Sequence, residues 1–126
     1  MLKKLILTIF ILSMPVLVQA ARVYKESYYQ NNWAVEHNGV TEYKLDDGTR
    51  VDVLTDSYAV EFDFAQKWAE AVGQSLYYAY KTGKQPAIVL IIEKPSDWKY
   101  FKRVKTLCER YNIKLWTVKS PLYNQF

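Results

Sequence analysis

Cysteine and histidine are almost absent from this chain: Cys108 and His37 are the single representatives of each among 126 residues. One cysteine excludes an intramolecular disulfide and any cysteine-based zinc site, and one histidine excludes a histidine pair on a metal. A Ser-His-Asp arrangement through His37 lacks the strand–turn–helix elbow that would carry its serine. Cys108 falls on the apolar side of an expected helix and reads as a buried thiol rather than a reactive one. Glycine and proline number four each, and no repeat, low-complexity tract or long linker divides the chain. No apolar run reaches the roughly 20 residues of a spanning helix. Neither sign of charge dominates: the formal net charge of +4 does not by itself establish a nucleic-acid partner. Apolar residues are plentiful, at half of the sequence, and tyrosines number eleven. That composition excludes a disordered chain.

The first twenty residues read as an export signal. Lys3 and Lys4 make a short positive segment, and Leu5 to Val18 is apolar apart from Thr8, Ser13 and Pro15. Val18-Gln19-Ala20 supplies small residues around a cut expected between Ala20 and Ala21. An uncleaved anchor is the alternative, against which the shortness of the run and Pro15 both argue. No cysteine follows the run, so a lipoprotein is not expected. The expected mature chain, residues 21–126, is one domain with a formal charge of +2 once Lys3 and Lys4 are removed. It is expected in the periplasm or outside the cell of a bacterium.

Periodicity gives the element order. Val23 to His37 reads as a helix ended by Asn38-Gly39. Thr41 to Leu45, Arg50 to Leu54 and Tyr58 to Phe64 read as strands of an antiparallel meander, separated by Asp46-Asp47-Gly48-Thr49 and Thr55-Asp56-Ser57. Ala65 to Lys81 is an amphipathic helix with Ala65, Trp68, Ala69, Val72, Leu76 and Ala79 on its apolar stripe. Ala87 to Ile92 is a continuous apolar run, the mark of a strand covered on both faces. Asp97 to Tyr111 is a helix capped by Ser96, with Phe101, Val104, Leu107, Cys108 and Tyr111 inward. Ile113 to Val118 is a final strand. The order αβββαβαβ implies an α/β domain with a mixed sheet, its last three strands parallel through two crossovers.

The chemistry is concentrated between Arg50 and Tyr78. Glu61 and Asp63 are two apart on a strand and share a face, while Val60, Phe62 and Phe64 share the other. Asp52, on the preceding strand, lies beside them if the hairpin register allows. Three carboxylates on one face repel one another, and such oxygen-only clusters suit Mg²⁺, Mn²⁺ or Ca²⁺. A hard divalent ion there lowers the pKa of bound water and stabilises charge on a phosphate. On the following helix Lys67, Gln74 and Tyr78 fall within about 20° of one another around the axis, on a polar stripe with Glu70 nearby. A lysine so placed can stabilise developing charge, and Gln74 and Tyr78 can bind a phosphate or hold the metal ligands. Each feature alone is also what a solvated strand or an amphipathic helix presents.

The order α-β-β-β-α-β with acidic strands resembles the PD-(D/E)XK nuclease superfamily, which includes restriction endonucleases and Holliday-junction resolvases. Gln74-Ser-Leu-Tyr-Tyr78 is similar to the Q-x-x-x-Y motif of its RecB-like members. The resemblance spans about residues 24–118. It implies a restriction-endonuclease-like core, with Mg²⁺ (or Mn²⁺) bound by Asp52 and Glu61 and an acidic residue of the first helix, Glu36 or Glu26, supporting the metal through water. It implies DNA as partner and phosphodiester hydrolysis as activity; homodimers are common in this fold. The family places a lysine two residues after the second acid, where this chain has Asp63. Either Lys67 serves as a displaced lysine, or Asp63 is an extra ligand and the domain is an inactive module binding DNA or an envelope protein.

Lys99, Lys102, Arg103 and Arg110 project from the last helix, as phosphate contacts or as a solvated face. Trp33, Trp68, Trp98 and Trp116 are candidates for stacking on bases. Of these Trp68 is expected in the core, and Trp98, near a helix start, is expected to be exposed. Tyr24, Tyr28 and Tyr29 suit either a binding surface or half-buried packing.

Overall fold

The computed structural model describes residues 22–126; the expected export signal, residues 1–20, and its cut lie outside the described residues. In chain order the elements are α1 (Glu26–His37), β1 (Val40–Lys44), β2 (Arg50–Leu54), β3 (Tyr58–Phe64), α2 (Trp68–Thr82), β4 (Gln85–Ile92), α3 (Trp98–Tyr111) and β5 (Lys114–Lys119). The order αβββαβαβ read from the sequence is the order observed. The strands form one sheet in sequential order, antiparallel from β1 to β3 and parallel from β3 to β5.

Local chemistry sets these pairings. The β1–β2 turn closes on Asp47, whose Oδ1 accepts the Thr49 amide at 2.9 Å, with Gly48 at φ 87° where a side chain would be strained. The connections from β3 and β4 carry helices, and a helical crossover returns the chain parallel. β4 is covered on both faces, as its unbroken apolar run requires. Ala87, Val89 and Ile91 meet Tyr29, Trp33 and Ala34 of α1. Ile88, Leu90 and Ile92 meet α2 and α3 through Ala71, Val104 and Cys108. The Cys108 thiol is buried, and desolvation pushes its pKa up to about 11, so it packs as an apolar group. Among the described residues no helix is long and apolar enough to cross a membrane.

Five local expectations are corrected. Helix α1 begins at Glu26 rather than Val23. The inward stripe of α2 is rotated: Ala71, Ser75 and Tyr78 are buried, while Ala69 and Leu76 are exposed. A 3-10 turn at Ala65–Lys67 precedes α2. Such a turn advances about 120° per residue instead of about 100°, so a phase carried from Ala65 slips by about 60° over three residues. The turn before α3 is held by Asp97 rather than Ser96: its buried Oδ2 accepts the Glu93 amide at 2.9 Å and its Oδ1 the Gln66 Nε2 at 3.1 Å. Trp98 is half-buried, its Nε1 donating to the Tyr123 hydroxyl at 3.0 Å, so it is no free stacking platform; Tyr111 is exposed instead of inward.

Candidate functional site

The sheet opens where β2 meets β3. Their ladder joins Leu54 to Ala59 and Val53 to Val60, and the pairing goes no further. At the next position the Phe62 amide donates to the Asp52 side chain, Oδ2, at 2.8 Å. A side chain has replaced the backbone acceptor. Val51 and Val53, two apart, consequently join different apolar clusters, one with Tyr78 and one with Trp33. On the far side of β2 the register Thr41–Val53 and Tyr43–Val51 sets Glu42 opposite Asp52, and Glu42 adopts a left-handed φ of 53°. A non-glycine residue there carries backbone strain of about 1 kcal/mol or more, of the kind found at functional sites. The kink thus crosses both strands at the Asp52 position.

Glu61 and Asp63 stand on the face of β3 that looks toward α2, paired in register with Ile88 and Leu90. Both are buried, each 4% exposed. The Asp52 and Glu61 carboxyls face one another closely enough to hydrogen bond, and one Glu61 oxygen, Oε2, is buried with no partner. Burial, first, and their mutual repulsion raise the proton affinity of Glu61 far above that of an ordinary carboxylate. Asp52 is raised mainly by burial, against the Phe62 amide, which favours its charged form. Both shifts run in the same direction and favour retention of a proton by the pair. Asp63 is raised to about 7 by burial and by Glu26, with Lys67 opposing; its Oδ1 accepts the Phe64 amide at 3.1 Å.

Glu26, at the first turn of α1, completes the cluster from the other face. Burial raises its pKa, while the Lys67 charge and a 2.9 Å hydrogen bond from Gln30 Nε2 hold it back. Glu36, the other acid considered for a supporting role, is not in this cluster. It lies ten residues, about 15 Å, further along α1 and lines a depression with Tyr28, Asn32, Trp33 and Lys119. Lys67 is exposed at the end of the 3-10 turn and forms no ion pair among the described residues. Its charge nonetheless acts on Asp63 and Glu26. Gln74 is exposed, whereas Tyr78 is buried, contrary to the polar stripe expected for both. Burial and the nearby Glu61 and Asp52 raise the Tyr78 phenol to about 12, with the Gln74 amide beside it opposing the rise.

The site thus brings together Asp52, Glu61, Asp63 and Glu26, overlooked by Tyr78 and Lys67. Glu42 acts on Asp52 and Glu26 from β1; nothing in the sequence marks it, since its position depends on the strand kink. Among the described residues no three His, Cys, Asp or Glu side chains are drawn together tightly enough to hold a metal ion as they stand. Asp52 and Asp63 are each turned to a backbone amide. Glu61 Oε2, a hard oxygen buried with no partner, is the atom of the cluster that a divalent cation would suit. His37 is remote from these acids: its Nδ1 lies 2.8 Å from the Trp33 carbonyl and its ring stacks on Trp33.

The chain is similar to a KilA-N domain-containing protein of Acanthamoeba polyphaga mimivirus, with 34% identity over 92 residues, covering 72% of this chain. The match spans only 25% of that relative's length. No family model and no solved structure matches the chain.

Proposed function

We propose that this chain is an exported domain of restriction-endonuclease-like fold whose acidic site hydrolyses phosphodiester bonds in DNA with Mg²⁺ or Mn²⁺. The observation that carries the reading is Glu61, a buried carboxylate with an unpartnered oxygen, facing Asp52 at the point where two strands part. Uncompensated buried carboxyls are costly and concentrate where chemistry needs them. Asp52, Glu61 and Asp63 would hold the ion, which when bound supplies a more acidic water and neutralises charge on the phosphate. Loading requires the Asp52–Glu61 pair to release its proton, so the site favours mildly basic pH. Lys67, exposed beside Asp63 and Glu26, supplies positive charge toward a phosphate. Gln74 steadies the Tyr78 phenol against the carboxyl pair. Incubation of the chain with plasmid and linear DNA in Mg²⁺, Mn²⁺ or EDTA tests the reading. Metal-dependent cleavage, lost in Asp52→Ala, is expected; intact DNA under every metal and pH contradicts it.

A second reading, an inactive module of the same fold binding DNA or an envelope protein partner, is favoured by Asp63. It stands where the resemblance implies a lysine, and Lys67 makes no ion pair in compensation. A gel shift that persists in EDTA without product favours this reading for DNA, and crosslinking followed by pull-down tests the protein partner. The homodimer common in such folds is tested by light scattering. The relative is viral and is named for a KilA-N domain; because the match covers a quarter of it, that name assigns nothing to this chain's site.

A further inference from the structure

The described residues carry fifteen basic and thirteen acidic side chains, so their formal charge is only +2. That small number conceals a segregation. Helix α3 alone has five basic residues, Lys99, Lys102, Arg103, Lys105 and Arg110, against one acid, Glu109. The rest of the described chain has ten basic residues against twelve acidic ones. All of the net positive charge therefore sits on one helix.

On that helix the charges are ordered. At 100° per residue, Lys99, Lys102, Arg103 and Arg110 fall within an arc of about 100°, with Thr106 between them, over a length of about 16 Å. All are exposed, while Val104 and Cys108 are buried on the opposite side. Lys105 lies outside the arc and is paired with Glu109. Among the described residues none of the four cations of the arc is in an ion pair. The charged ends of Lys99 and Arg103 lie over the half-buried Tyr100 ring, at 5.0 Å and 5.5 Å, a contact that holds them on the exposed side of the helix without neutralising them. The helix packs beside α2 on the sheet face toward which Glu61 and Asp63 point.

We propose that this face of α3 is a docking surface for the phosphate backbone of double-stranded nucleic acid, separate from the acidic cluster. Four unpaired cations on one exposed side of a helix attract a line of phosphates, and no acid falls within the arc to oppose them. The inference is independent of hydrolysis at the acidic site and holds for an active or an inactive chain.

The test is fluorescence anisotropy of a labelled duplex of about twenty base pairs with the full chain, in EDTA, across salt from about 50 to 300 mM. Alanine at Lys99, Lys102, Arg103 and Arg110 together is compared with alanine at Lys25, Lys44, Arg50 and Lys84, which removes the same charge elsewhere. Alanine favours an exposed helix, so the α3 variant retains its fold, checked by circular dichroism. The expected result is a loss of about 30-fold or more for the α3 variant, with the log–log salt slope reduced by about 3, and little change for the control. Equal losses in the two variants would overturn the proposal, since net charge alone would then explain binding. So would the absence of duplex binding at low salt, or α3-dependent partition onto phosphatidylserine vesicles with duplex affinity unchanged. Binding in EDTA without cleavage in Mg²⁺ removes only the hydrolytic reading; duplex affinity unaltered by the α3 substitutions removes only this surface.

Discussion

Glu61 is the residue on which the account turns. Its folded proton affinity is raised, as are those of Asp52 and Asp63, the last to about 7. In the unfolded chain all three ionise near pH 4. Between these limits the folded state binds more protons than the unfolded one, so stability falls as pH rises. The stabilising contribution is complete below about pH 4 and is lost as pH passes through 7, opposite in sign to a salt-bridged carboxylate. For Asp63 alone the shift corresponds to about 2–4 kcal/mol once relaxation is allowed for. Thermal unfolding followed at pH 5 and pH 8 should show a Tm lower by about 10 °C or more at pH 8; a Tm higher at pH 8 contradicts the buried acidic cluster. Glu61→Gln keeps the shape and removes the ionisation, so it should raise Tm at pH 8 and flatten the profile. The pairing of Glu61 with Asp63 on one face was legible in the sequence, because strand alternation fixes it. The burial of that face was not, because alternating charge is also what a solvated strand shows. Glu26 was nameable but not separable from Glu36, since only the packing of α1 says which end of that helix meets the splayed strands.

At the scale of elements, five strands and three helices were readable because their apolar patterns are strong and their turns chemically marked. The phase of α2 was not readable, since a three-residue 3-10 turn leaves no apolar signature. That slip moved Tyr78 from the expected polar stripe into the interior. Two joints are open to test. A methyl group added at Gly39, between α1 and β1, would lie 2.3 Å from Val53 Cγ1. Gly39→Ala should therefore cost about 1–3 kcal/mol by overpacking, read as a lowered urea midpoint; an unchanged midpoint contradicts the close α1–β2 approach. Asp97 accepts the Glu93 amide and Gln66 from within the core. Asp97→Ala leaves the Glu93 amide without its acceptor, while the exposed Gln66 amide turns to water, and should cost about 1–3 kcal/mol by the same measurement. A loss as small as that of a typical surface substitution, under about 0.5 kcal/mol, contradicts the role assigned to it.

The whole molecule is a mixed sheet with α1 on one face, α2 and α3 on the other, a buried acidic cluster at the β2–β3 opening and a cationic helix alongside. The fold order follows from the sequence; the acidic cluster depends on a kink at Glu42 and Asp52 that a regular ladder would not show. Export remains a proposal resting on the first twenty residues. N-terminal sequencing of the secreted or periplasmic product tests it, with Ala21 expected as the first residue and an intact Met1 contradicting it. Titration calorimetry with Mn²⁺ at mildly basic pH reaches the central claim most directly. The expected result is one ion per chain, proton release that makes the heat depend on the buffer, and loss of both in Glu61→Gln with the fold retained. Absence of any Mn²⁺ heat from the folded chain, or uptake unaffected by Glu61→Gln, would contradict it.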